Sequence, residues 1–203
     1  MNPDETRERI LAAADELFGA LGFDATTTRD ISDKSGVNKA LIHYHFGSKD
    51  DLLHALLERH YAALGVVLQG AMAQAHTPRE QMHALVDAYS DFLAAHHSFA
   101  RIIQREIASG RHTQRIVERT LPMFELGVAW VRATQAKPPP GLDAVNLLVT
   151  AYGMVVTWFT AAEVLRQLTG KDPLARAALA ARKKHVKQVL DLLFGELGAD
   201  LPS

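Results

Sequence analysis

Between Gly36 and Lys49 the chain carries no acid, while Asn38, Lys39, His43, Tyr44, His45 and Lys49 all offer hydrogen-bond donors or rings that can stack. That combination suits a polyanion. The ammonium groups of Lys39 and Lys49 can meet phosphates, and Asn38, His43 and Tyr44 have the reach to touch base edges or backbone. The same residues also fit a solvated helix of an ordinary bundle, and composition alone leaves both readings open. Two other pairs could do acid–base or metal chemistry: His54 with Glu58 and His83 with Asp87 are spaced to meet on one helix face. Such isolated pairs are common on solvated helices. The chain has no Gly-rich phosphate loop, G-x-S-x-G elbow or H-E-x-x-H motif, so no catalytic residue, metal ligand or cofactor is assigned and an enzyme is not expected.

The donors need elements to hold them. Thr26 or Thr27 can cap a short helix, with Asp30 as the reciprocal acid of a capping box and Ile31 as its inward residue. Ser35 and Gly36 break that helix; glycine permits the positive φ of a sharp turn, and Val37 can plug the space before a second helix from Asn38 to His45. Neither helix is long enough to stand alone in water. The helix before them supplies a partner: it starts at Asn2-Pro3-Asp4-Glu5, presents Ile10, Ala14, Leu17, Phe18 and Leu21 at helical spacing, and ends at Gly22.

Gly22-Phe23, the three threonines, Asp30-Ile31, Ser35-Gly36-Val37, Ile42, His45-Phe46, Ser48-Lys49 and Leu52 together resemble the N-terminal DNA-binding domain of the TetR family of transcriptional regulators, densely over residues 6 to 57. The resemblance implies an all-α chain of about nine helices. A three-helix helix-turn-helix DNA-binding domain would occupy residues 1–48, and a helical ligand-binding and dimerisation domain residues 49–203. It places Ile42 and Phe46 inward and makes Thr27, Thr28, Asn38, Lys39, Ala40, Leu41, His43, Tyr44 and Lys49 the candidate DNA contacts. Two positions depart from the family pattern: His43 stands where a tyrosine is usual, and Leu41 where a polar residue is frequent, so the base contacts are this chain's own.

Charge does not announce the partner. The formal net charge is -1 and residues 1–50 hold more acids than bases, so DNA affinity must come from local placement, with weak, salt-sensitive non-specific binding. No cysteine is present, which excludes disulfides and thiol chemistry. The charged N-terminus has no apolar run of the signal-peptide kind. Ala144 to Ala162 is uncharged but contains Asn146, Thr150, Thr157 and Thr160 and is flanked by Asp143 and Glu163, favouring a buried helix over a membrane span. A cytoplasmic protein is expected.

Ser48-Lys49-Asp50-Asp51 opens a long helix toward Gln74, and Thr77-Pro78-Arg79-Glu80 caps another that ends near His96. Further helices follow: Ser98 to Ser109, stopped by Gly110; Arg111 to Gln135, which Pro122 should kink or divide; and, after the stiff Ala136–Gly141 loop, Asp143 to Leu168 and Pro173 to about Leu197. The helix from Asp143 is apolar nearly all round and must be covered on more than one side. A homodimer through the last two long helices is therefore expected, reading an inverted repeat in double-stranded DNA. The resemblance also implies a small effector. Tyr89, Phe92, Phe99, Ile103, Met123, Phe124, Trp130, Tyr152 and Phe159 are its candidate, partly apolar lining, although each also fits ordinary core. Glu106, Arg101, Arg105 and Arg132 could select its charge if they face inward. A helical interaction module that does not read DNA is the competing function.

Overall fold

The structure, a computed structural model, describes residues 2–134 and 143–194. The predicted Ala136–Gly141 loop and the end of the last helix near Leu197 lie outside the described residues. Ten α-helices are present among them: α1 (Pro3–Leu21), α2 (Thr28–Ser35), α3 (Lys39–Phe46), α4 (Lys49–Gln74), α5 (Pro78–Ala95), α6 (His97–Ser109), α7 (Thr113–Thr134), α8 (Ala144–Thr160), α9 (Ala162–Thr169) and α10 (Arg176–Phe194). They form two compact units. One gathers residues up to Ala63 with His96–Arg119; the other gathers Leu64–Ala95 with the described residues from Thr120 onward. Both α4 and α7 therefore run from one unit into the other.

Local chemistry sets the helix ends of the first unit. The Asn2 side chain accepts from the Asp4 N–H at the start of α1, and Gly22, at φ 89°, ends it. Thr27, not Thr26, caps α2: its hydroxyl accepts from the Asp30 N–H while the Asp30 carboxylate accepts from the Thr27 N–H. Thr26 is buried and donates its hydroxyl to the Gly22 carbonyl at 2.8 Å. Gly36 supplies the left-handed turn at φ 64°. The core is built from Ile10, Leu11, Ala14 and Phe18 of α1, Ile31 of α2, Ile42 and Phe46 of α3, and Leu52, Leu53, Leu56 and Leu57 of α4. Leu21, expected inward, is 55% exposed in the last turn of α1, and Leu11 is buried instead.

A second feature of this unit concerns α6, which packs on α1. Ser98, in the first turn of α6, donates to Asp15 Oδ1 at 2.8 Å, and the buried His60 ring meets the same oxygen at 2.9 Å. The Arg105 guanidinium donates to the carbonyls of Phe18, Gly19 and Ala20 at the end of α1, where the Phe18 carbonyl also accepts the Gly22 N–H. Burial pushes the Asp15 carboxyl up, but the His60 and Ser98 hydrogen bonds and the Arg59 charge outweigh it and hold it below its ordinary value.

In the second unit α5 packs against α8 and α10, and α8 against α10. Met82, Val86, Phe92 and Leu93 of α5, Leu147, Val155 and Phe159 of α8, and Val186 and Leu190 of α10 fill its core. A ladder of ion pairs joins α5 to α10: Arg79 and His83 to Asp191, Asp87 to Lys187, and Asp91 to Lys183. Three helix boundaries differ from expectation. Pro122 does not divide α7, which is continuous. The predicted Asp143–Leu168 helix is broken at Ala161 into α8 and α9, bent by 69°. Here the Thr160 hydroxyl competes for the Thr157 carbonyl that the Ala161 N–H also uses. The last helix begins at Arg176, because Asp172 accepts from the Leu174 N–H in a separate turn rather than capping. No single helix is long and apolar enough to cross a membrane.

Candidate nucleic-acid interface

α3 starts where the Asn38 side chain accepts from the Ala40 N–H and turns Ile42 and Phe46 into the core, 2% and 8% exposed. The opposite face is left to solvent. Lys39, Ala40 and His43 are exposed, Leu41 is 41% exposed, and Tyr44 is 80% exposed with its ring standing edge-on to His45 at 5.3 Å. Thr27 is exposed and Thr28 half-buried at the start of α2. No carboxylate pairs with Lys39 among the described residues. The His45 and Phe46 rings lie 6.3 Å apart.

Three devices fix this face. Arg9 of α1 donates to the Ser35 carbonyl at 2.6 Å, pinning the α2–α3 turn, and the Ser32 hydroxyl donates across that turn to the Val37 carbonyl at 2.7 Å. Lys49, at the root of α4, is engaged internally: its ammonium donates to the carbonyls of Phe23 and Thr26, each at 2.8 Å, and lies 4.1 Å from the centre of the Phe23 ring. That staple holds the α1–α2 turn from which Thr27 caps α2. Asp30, opposite it, is held below the ordinary carboxyl value by the Thr27 hydroxyl and backbone N–H.

A further cluster, with no counterpart in the sequence reading, joins α6 and the α6–α7 corner to the root of α4. His112 is buried; its Nδ1 meets Glu106 Oε2 at 2.5 Å and its Nε2 meets Asp50 Oδ1 at 3.0 Å. The Phe23 ring packs edge-on to the imidazole at 4.8 Å, and neighbouring Arg111 pairs with Asp24. The carboxylates sit on opposite sides of the imidazole ring, so they do not converge on a point where one cation could sit.

The predicted effector lining is divided between the units. Phe99 and Ile103 belong to the first, where Phe99 packs on His60 and Tyr61 at 5.0 and 5.2 Å. The others belong to the second. There the Tyr89 and Tyr152 rings stack at 6.2 Å, Phe124 stands edge-on to Tyr152 at 5.2 Å, and Phe92 and Phe159 are buried. Met123 is half-buried, and the half-buried Trp130 donates to Gln81 at 2.8 Å. Burial pushes the Tyr152 hydroxyl up, against a Tyr89 hydrogen bond that lowers it. A surface groove of about 340 Å³ runs between α5 and α10, lined by charged residues that include His83, Asp87, Lys183, Lys187 and Asp191 and by none of these aromatics. Of the charged candidates, Glu106 is bound to His112, Arg105 caps α1, and Arg101 and Arg132 are exposed. The His83–Asp87 pair does not form, since His83 meets Asp191 at 2.8 Å; His54 and Glu58 approach to 3.5 Å.

Comparison with known proteins places the same residues in context. The family of bacterial regulatory proteins of the tetR type matches residues 10–56, and the tetracyclin repressor-like C-terminal domain matches residues 78–190. The chain is 30% identical to the HTH-type transcriptional repressor NicS of Pseudomonas putida over 159 residues, 76% of this chain and 74% of that one. It is 36% identical to the HTH-type transcriptional activator FasR of Mycolicibacterium smegmatis over 90 residues, 44% of this chain and 41% of that one. Its fold is similar to that of the ketosteroid transcriptional regulator KstR2 of Mycobacterium tuberculosis, with a TM-score of 0.73 at 20% identity over 94% of this chain and 95% of that one. FadR from Bacillus subtilis in complex with stearoyl-CoA is similar at a TM-score of 0.73 and 19% identity, over 90% and 96%.

Proposed function

The chain belongs to the TetR family of bacterial DNA-binding transcriptional regulators, which are not enzymes, and we propose that it is a homodimeric repressor released from an inverted-repeat operator by a small, partly apolar effector. The observation that carries the DNA-reading part is the exposed, acid-free face of α3. Asn38, Lys39, Ala40, Leu41, His43 and Tyr44, with Thr27 and Thr28 of α2, are the reading residues. Lys39 meets phosphate, Leu41 offers an apolar contact to a thymine methyl, and His43 and Tyr44 reach bases or backbone. Lys49 supports that face by holding the Phe23–Thr26 turn. We assign DNA reading to residues 1–48 and effector binding and dimerisation to residues 49–203, with the action in the cytoplasm.

Support for the dimer comes from apolar side chains left uncovered on the last helices: Val145 and Val149 of α8, each 49% exposed, Val164 and Leu168 of α9, and Leu192 of α10 at 84%. A second copy covers them and sets the spacing of the two reading heads. The effector reading is supported by the Tyr89–Phe124–Tyr152 ring cluster, which mixes apolar faces with hydroxyls. Two proteins of similar fold support it: KstR2 is a ketosteroid transcriptional regulator, and FadR of Bacillus subtilis is found in complex with stearoyl-CoA. The repressor sign follows NicS, whose match spans three quarters of both chains, over the activator FasR, whose match is partial.

Selection of bound duplexes from a random library, at two salt concentrations, tests the reading. Enrichment of an inverted repeat is expected. Tyr44→Ala is expected to weaken that binding without loss of helicity. Recovery of no preferred sequence would favour the protein-interaction module instead.

A further inference from the structure

One buried imidazole joins two carboxyl groups through its opposite nitrogens. The imidazole presents a hydrogen-bonding nitrogen at each end, and His112 uses both at once, Nδ1 toward Glu106 and Nε2 toward Asp50. Glu106 and His112 are each about 6% exposed at the side chain, so the loss of either leaves the other buried without its hydrogen bond. Asp50 is half exposed and lies in the first turn of α4, and the His112 hydrogen bond holds its carboxyl below the ordinary value, with the Arg115 charge adding to it.

We propose that His112 is a positioning residue for DNA reading: a hydrogen-bonded tie from Glu106 on α6 through the imidazole to the Asp50 carboxylate that fixes the α3–α4 corner to the α6–α7 corner. The tie has a second strand alongside it. Phe23 packs edge-on to the His112 ring, carries the Lys49 ammonium, and is approached by the Arg111 guanidinium, which pairs with Asp24. Lys49 and Asp50 are adjacent in sequence, so the root of α4 is held to the α1–α2 turn by one and to the α6–α7 corner by the other. The inference rests on the DNA-reading role proposed above.

The sign of one substitution separates this role from simple electrostatics. Asp50→Asn removes an acid close to the reading helix, which by charge alone tightens binding to every duplex. The tie predicts the opposite for the operator. Measured on the full-length protein with the duplex selected by the wild type, Asp50→Asn and His112→Gln are each expected to lower operator affinity about tenfold, or ~1.4 kcal/mol. Affinity for an unrelated duplex is expected not to fall. The double variant is expected to lose no more than the weaker-binding single variant, and Asp50→Glu, which keeps the carboxylate, to stay within about threefold of the wild type. An Asp50→Asn protein that binds the operator as tightly as the wild type or tighter overturns the proposal, as does a double variant whose losses add. If His112→Gln fails to fold, the Asp50→Asn and Asp50→Glu pair decides alone, because that side chain is half exposed. A wild-type protein that selects no duplex removes the DNA-reading role and the tie with it, and is recognised before any variant is made.

Discussion

Gly19→Ala puts the attachment of α6 to the reading head at risk through one methyl group. A Cβ built at Gly19 would lie 2.6 Å from Ser98 Cβ and 3.1 Å from Ser98 Cα. Carbon atoms in contact prefer about 3.5–4.0 Å, so the shortfall is close to 1 Å. A rotamer change at Ser98 cannot relieve it, since Cβ and Cα do not move with χ1. α6 must shift off α1, and the shift loads the Ser98–Asp15 bond and the Arg105 bonds to the last carbonyls of α1, already 3.3 to 3.5 Å long. Forcing a methyl into a packed crossing costs about 1–3 kcal/mol, and weakening a hydrogen bond to a carboxylate adds about 1.5 kcal/mol. Alanine's better helix propensity returns about 1 kcal/mol. The net expectation is a loss of roughly 2–3 kcal/mol, opposite in sign to what propensity alone gives. Urea denaturation followed by circular dichroism reads it as a lower midpoint at unchanged slope. Ser98→Gly in the same chain removes the nearest atom, so the double variant should be more stable than the sum of the two losses by about 1 kcal/mol. An alanine at 19 that leaves the midpoint unchanged or raises it would show that α1 and α6 are not held at this distance.

Three other outcomes are expected. Lys49→Met removes an ammonium shared by two carbonyls and should destabilise the protein by about 1–2 kcal/mol in the same denaturation assay; a loss of DNA affinity with no loss of stability would instead make Lys49 a phosphate contact. Asp15 is depressed below its ordinary value of 3.8, so its contribution to stability is fully present above that value and is lost as pH falls through the lower folded value. Asp15→Asn should therefore flatten the acid limb of a stability–pH curve, and an unchanged limb would refute the assignment. Leu168→Lys with Leu192→Glu should convert a dimer to a monomer in sedimentation without loss of helicity, the two side chains being 77% and 84% exposed in the single chain.

The parts of the fold that could be read from the sequence are those whose causes are neighbours along the chain. Thr27 with Asp30, Gly36, Ser48 with Asp51, and Thr77 with Glu80 each act within a few residues, so type and spacing announce them. The Glu106–His112–Asp50 cluster and the Gly19–Ser98 crossing join residues far apart in the chain and leave no local pattern. Lys49 shows how a local pattern leaves long-range partners unseen. Its position at a helix start near an acid-free face suits phosphate, but the carbonyls of Phe23 and Thr26 come to it from across the unit. The Ala161 bend was hidden for a different reason: alanine and threonine continue the apolar run without a glycine or proline, and the competition at the Thr157 carbonyl is visible only in three dimensions. The packing of Phe99 on His60 and Tyr61 of α4 is likewise not announced by residue type.

The same division between tied and untied residues predicts where specificity can change. Arg9, Ser32, Lys49 and His112 have internal partners whose loss disturbs the reading head itself. Leu41, His43 and Tyr44 lie on the outward face of α3 while Ile42 and Phe46 carry its packing, so replacing the outward set should leave stability within about 0.5 kcal/mol. His43→Tyr and Leu41→Gln are the informative changes, because both alter donors and shape at the proposed contact surface without touching the core. Repeating the duplex selection with each variant should recover a different base at one or two positions of each half-site while half-site spacing stays the same, spacing being set by the proposed dimer and not by α3. A change in spacing, or an unchanged sequence preference in both variants, would refute base reading by this face and move the search to the start of α2, where Thr27 and Thr28 are the remaining candidates.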